Sequence, residues 1–165
     1  MKNELKLRNM TGIYLVRDDE ILLLYRQGSK VVNNLWIASA GGHFEEWELN
    51  DPRACVLREL KEELSITEEM LMDLQLRYVA LRRTGGEIRQ NYYYFARLCD
   101  DFRGELSSGE GILKWVRLDE VMKLEMPFTA KYVLEHYLTV GRYDDKLYAG
   151  VADEERVNFR ELPEF

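Results

Sequence analysis

Two different periods of apolar residues alternate along this chain of 165 residues. Near the start, apolar residues crowd positions 11–16 and 21–25 on either side of Arg17-Asp18-Asp19-Glu20, which predicts a β-hairpin. Residues 35–40 read as a short buried strand that runs into Gly41-Gly42. The period then changes. Asn50 and Asp51 ahead of Pro52 predict a helix N-cap followed by proline in the first turn. Val56, Leu57, Leu60 and Leu64 continue at helical spacing, so the helix runs to about Leu64. Residues 74–81 and 91–98 are strands, the second rich in tyrosine and phenylalanine, and Thr84-Gly85-Gly86-Glu87 turns between them. A further strand covers 112–116 and a short helix 118–124. Ala130, Val133, Leu134, Tyr137 and Leu138 place a second main helix over 129–138, and the tail folds into a hairpin around Asp153-Glu154-Glu155. Mixed strands with two main helices predict an α/β fold, a sheet sandwiched between helices.

Length and composition narrow the picture further. The chain is one domain by length, without repeats or linkers. A formal net charge of −7 argues against non-specific nucleic-acid binding, which needs a basic face. It leaves nucleotides open as substrates, because bound metal ions can supply local positive charge. No long uncharged apolar run predicts a membrane span, and the N-terminus MKNELKLRNM lacks the apolar core of a signal peptide. Cys55 and Cys99 form neither a metal spacing nor a disulfide framework. The expectation is a cytoplasmic protein with reduced thiols.

The chemistry concentrates on the first helix. Glu59, Glu62 and Glu63 share one helical face at i, i+3 and i+4, apart from the apolar stripe. Carboxylates that close repel one another unless cations lie among them. A cluster of hard oxygen ligands suits Mg²⁺, which binds through a few carboxylates together with the phosphate oxygens of a substrate. The competing assignment is a solvated helix face.

Residues 41–66, GGHFEEWELNDPRACVLRELKEELSI, closely resemble the signature of the Nudix hydrolases, G-x5-E-x7-R-E-U-x-E-E-x-G-U with U a bulky aliphatic residue. Gly42 begins the motif, Glu48 is its first acid, Arg58-Glu59-Leu60 and Glu62-Glu63 follow, and Ile66 closes it. Two departures stand out. The stretch from Glu48 to Arg58 is two residues longer than usual, and Ser65 replaces the final glycine. The resemblance implies an α/β/α sandwich over about 7–140, with 141–165 as a hairpin extension. It implies that Glu59, Glu62 and Glu63 ligate Mg²⁺, with Mn²⁺ as a substitute, and that the Gly41 carbonyl completes the shell. Arg58 would orient the acids, and Glu48 would support the metal site or Arg58. The general base would be Glu63 or Glu110, the latter flanked by glycines in Ser108-Gly109-Glu110-Gly111.

Asn33, Asn34, Trp36, Tyr92 and Tyr94 are candidates for stacking on and hydrogen bonding to a nucleobase; the competing assignment for the aromatics is the core. Leu35-Trp36-Ile37 ahead of GGHFE resembles the MutT-like branch that removes oxidised purine triphosphates such as 8-oxo-dGTP. That branch often carries acids just before the last helix, where this chain has Met126-Pro127-Phe128-Thr129. The implied reaction is hydrolysis of a purine deoxynucleoside triphosphate to monophosphate and pyrophosphate. Alternatives are a Nudix pyrophosphatase for ADP-ribose or another nucleoside diphosphate derivative, and a non-catalytic nucleotide sensor. His43, beside the glycine pair, is a candidate for touching phosphate, with a loop histidine facing solvent as the competing assignment; His136 is given no chemistry, and no serine–histidine–acid set, phosphate-binding glycine loop or zinc spacing is evident.

Overall fold

In the computed structural model, which describes residues 4–27 and 34–165, strand β1 (Lys6–Arg17) is the spine of the fold. One edge of β1 pairs in parallel with β6 (Glu87–Leu98), from Lys6↔Glu87 to Leu15↔Ala96. Its other edge is shared: β4 (Ala40–His43) pairs antiparallel with residues 10–13, and β2 (Glu20–Arg26) with residues 15–17. Because two strands divide that edge, the sheet splays. β2 continues into a smaller layer with β3 (Leu35–Ile37) and β7 (Gly111–Arg117). On the far side, β5 (Leu71–Thr84) pairs antiparallel with β6 through a turn in which Gly85 (φ 58°) and Gly86 (φ 77°) adopt the left-handed conformations that glycine tolerates.

The tail hairpin is part of this sheet. β8 (Tyr148–Ala152) pairs in parallel with β5 and antiparallel with β9 (Val157–Glu161). Arg77, buried on β5, anchors the segment by donating to the carbonyls of Gly141 and Lys146 and pairing with Asp144 at 3.0 Å.

The strands alternate between two cores. Ile13, Leu15, Leu22, Tyr94 and Ala96 face helix α1 (Pro52–Leu64), which contributes Val56, Leu60 and Leu64. Tyr14, Leu23, Tyr93 and Phe95 face helix α2 (Phe128–Thr139), which contributes Val133, Leu134 and Tyr137. Each fully buried aliphatic side chain stabilises the fold by about 1.5–3 kcal/mol. These two helices on opposite faces of a mixed sheet make the α/β/α sandwich. The expected helix over 118–124 is only a single turn at Val121–Lys123, because its neighbours continue into loops.

α1 starts where expected: the Asp51 side chain accepts from the Ala54 N–H at 3.1 Å, and Pro52 occupies the first turn. It ends at Ser65, which adopts φ 55° and ψ 29°. That left-handed exit is the one glycine makes at least cost, so the serine is accepted with some strain.

Candidate active site

The glycine pair lets α1 approach the sheet. A Cβ on Gly41 would collide with the Thr11 carbonyl, and one on Gly42 with the Glu59 carboxylate. With no side chains in the way, Glu59 is buried against β4, and the Gly41 N–H donates to Glu63 Oε2 at 3.2 Å. The resemblance implied a role for the Gly41 carbonyl; in this structure it is the amide of Gly41 that meets an acid.

Arg58 organises the acids. Its Nε and Nη2 donate to the two oxygens of Glu48, each at 2.9 Å, and Nη2 also donates to the His43 carbonyl at 3.0 Å. Nη1 lies 3.0 Å from Glu59 Oε1 and 3.0 Å from Glu62 Oε2. Glu48 is fully buried and accepts a further hydrogen bond from the Glu45 N–H at 2.8 Å. The Arg58 hydrogen bonds hold its carboxyl below the usual range. The two extra residues between Glu48 and Arg58 are absorbed by a turn. Asn50 takes φ 72° and Asp51 caps α1, so the bidentate pair forms despite the longer loop.

The remaining acids crowd one another. Burial and then the facing carboxylate of Glu110 push Glu63 up to about 8. Burial also raises Glu59, against the pull of Arg58. Glu62 stays at the exposed end of the group, its side chain 60% accessible. Among the described residues, no three His, Cys, Asp or Glu side chains converge tightly enough to hold a metal ion as they stand. Arg58 draws Glu59 and Glu62 to its guanidinium, and the Gly41 amide draws Glu63. The donor chemistry nevertheless fits a hard divalent cation: all the ligands are oxygens, and Glu63 is close enough to Glu59 and Glu110 for their charges to raise its pKa.

Of these acids, Glu63 and Glu110 line a cleft of about 460 Å³ between the sheet and the start of α2. Tyr14, Asn91, Tyr93, Phe128 and Thr129 line it, with Arg8, Arg26, Arg82 and Arg89. The Tyr14 ring is fully buried, lies 6.2 Å from Tyr93, and carries a hydroxyl with no partner among the described residues.

The predicted substrate residues are placed differently. Tyr94 packs in the core beneath α1, and Tyr92 packs on Phe44 with ring centroids 5.4 Å apart; neither lines the cleft. Side chains alternate along β6, so the cleft receives Asn91 and Tyr93 instead. Trp36 packs against Tyr25 in a tilted arrangement with ring centroids 5.0 Å apart, outside the cleft lining, and Asn34 is exposed and accepts from the Tyr25 hydroxyl at 3.4 Å. Asn33 lies outside the described residues. The cleft arginines were missed; period-2 alternation marks Arg8, Met10, Gly12 and Tyr14 as one face, but it does not say which helix covers that face. His43 is exposed and bonds Arg8 at 2.8 Å, while His136 bonds the Tyr78 hydroxyl at 2.9 Å inside the tail anchor.

A mixed sheet between two helices, with glycine-backed acids on the first helix, defines a class of hydrolases. The comparisons agree. The sequence matches the NUDIX domain family over residues 6–137, and the chain belongs to that family. The MutT protein from Bacillus halodurans superposes with a TM-score of 0.64 at 26% identity, covering 95% of this chain and 99% of that one. A MutT NUDIX hydrolase from Burkholderia pseudomallei gives 0.58 at 26% identity, covering 81% and 97%. An Ap4A hydrolase from C. elegans gives 0.64 at 22% identity, covering 83% and 99%, a likeness of fold alone. No curated protein matches the chain. The chain is thus a hydrolase with Nudix-type pyrophosphohydrolase activity on a nucleotide, and the family fold implies dependence on a divalent metal, commonly Mg²⁺. Among the described residues, no helix is long and apolar enough to cross a membrane.

Proposed function

We propose that the protein hydrolyses nucleoside polyphosphates, with oxidised or ordinary purine deoxynucleoside triphosphates as the leading substrates, to a monophosphate and pyrophosphate. The observation that carries this reading is that Glu63 and Glu110 line one cleft together with aromatic rings and arginines. Glu59, Glu62 and Glu63 would hold the divalent ion. When bound, that ion supplies the charge that neutralises phosphate oxygens and acidifies the attacking water.

The chain's own groups do the rest. Arg58 and Glu48 fix the rotamers of the acids. Glu63 is already engaged by the Gly41 amide, whereas the Glu110 carboxylate makes no hydrogen bond among the described residues. Glu110 is therefore the better placed to take the proton from water, and Gly109 and Gly111 border it. The base enters beside Tyr93 and Asn91, whose half-buried side-chain amide can hydrogen-bond a heteroatom.

The test is Mg²⁺-dependent product release from 8-oxo-dGTP, dGTP, the other dNTPs, ADP-ribose and a dinucleotide, with Glu62→Gln and Glu110→Gln alongside. We expect turnover of a triphosphate, with Glu110→Gln lowering kcat by about 100-fold or more. Turnover of ADP-ribose alone would overturn the substrate, and tight binding without turnover would mark a nucleotide sensor.

A further inference from the structure

Arg8, Arg89 and Arg82 lie side by side. Arg8 on β1 is the register partner of Arg89 on β6, and Arg89 is the partner of Arg82 on β5. Residues in register share a face, and adjacent strands are about 4.8 Å apart, so three guanidiniums cross the sheet in one row. All three line the cleft. Like charges directly opposite one another destabilise a sheet. Among the described residues a single carboxylate answers them: Glu87 Oε2 lies 3.5 Å from Arg8 and 3.2 Å from Arg89. Arg82 has no ion pair among the described residues; its guanidinium lies 4.3 Å from the ring centroid of Phe128, the first residue of α2. Among the described residues no side chain caps α2, and Thr129 and Ala130 of its first turn line the same cleft. Unpaired amides of that turn and the helix dipole add to the positive potential there. In a chain of net charge −7 this concentration of cations is local and one-sided.

Its position relative to the acids is set by register. Gly12 pairs with Gly41, whose amide holds Glu63. Arg8 precedes Gly12 by four residues on the same strand, about 13 Å along β1. A diphosphate lying at the acids therefore leaves the arginine row to bind something else.

We infer that the arginine row is a second phosphate subsite, so that the preferred substrate carries a phosphate beyond the diphosphate that is cleaved. This deepens the reading of the site as a pyrophosphohydrolase centre and rests on it. The extra phosphate can come from two sources: a longer polyphosphate chain, or a phosphomonoester on the far end of the substrate.

Two pairs distinguish these, ATP against ADP, and the 2′-phosphate of ADP-ribose against ADP-ribose. In one pair kcat/KM should favour the member with the additional phosphate by about tenfold or more, the value of a hydrogen bond to a charged group. Arg82→Gln and Arg89→Gln should each collapse that ratio towards one. Tripolyphosphate binding, measured in EDTA so that no metal contributes, should weaken about tenfold in both variants. Equal kcat/KM within both pairs, or tripolyphosphate affinity unchanged in both variants, overturns the inference. Because the binding measurement needs no turnover, it decides the subsite even if no diphosphate is hydrolysed, which would refute the catalytic reading instead.

Discussion

Replacing Glu48 by glutamine isolates the arginine–glutamate pair behind the acids. The change keeps the shape of a fully buried side chain but turns an amide NH₂ towards a guanidinium that donates twice. Breaking a buried ion pair by removing one partner costs about 3–5 kcal/mol. Here two features lower the figure: glutamine leaves no charge stranded on its own side, and Arg58 keeps Glu59, Glu62 and the His43 carbonyl, each at 3.0 Å. The expected loss is about 2–3 kcal/mol, or roughly 4–12 °C in Tm for a chain of this size.

The pH dependence follows from the direction of the shift. Arg58 depresses the Glu48 carboxyl in the fold, so the stabilisation is complete above the unfolded value, about 4.3. It is lost as pH falls through the lower folded value. Urea unfolding followed by tryptophan fluorescence between pH 7 and pH 3 should show the wild-type advantage full at neutrality and shrinking in acid. Freed from Glu48, Arg58 should also hold Glu59 and Glu62 more firmly and raise the Mg²⁺ concentration needed for half-maximal activity. A difference below about 0.5 kcal/mol at pH 7, within the range of ordinary surface substitutions, or one that grows on acidification, would refute this account.

Ser65→Gly should stabilise the protein by about 0.5–1 kcal/mol, since relief of the left-handed conformation exceeds the added freedom of the unfolded chain. The urea midpoint should rise with an unchanged slope. Thiol labelling at pH 8 should modify Cys99 quickly and Cys55 only after unfolding. Cys55 is buried and its thiol is pushed up to about 11 by that burial, while Cys99 is half-buried.

Much of this was legible because it is local. The N-cap at Asp51, the apolar stripe of α1, the turn at Gly85-Gly86 and the tail hairpin each depend on residues a few positions apart. The acids were legible for the same reason, since one helix carries three of them. The cleft was not. Tyr92 and Tyr93 differ by one position, and only the covering helix decides which lines the cleft and which packs on the α1 side. Positions 8, 82 and 89 have no relation in sequence; two strand registers put them in a row.

That non-local construction also governs how the chain reaches its native state. Lys6 pairs with Glu87, and Tyr78 with Tyr148, so the central pairings of the sheet close long loops and are parallel. Closing them costs entropy before any contact rewards it, which slows folding relative to α1 or the β5–β6 hairpin. The cleft walls come from strands joined in those late steps. In a refolding experiment, far-ultraviolet ellipticity should therefore recover before the capacity to bind a nucleotide, and the lag between the two signals would time the docking of β1 onto β6.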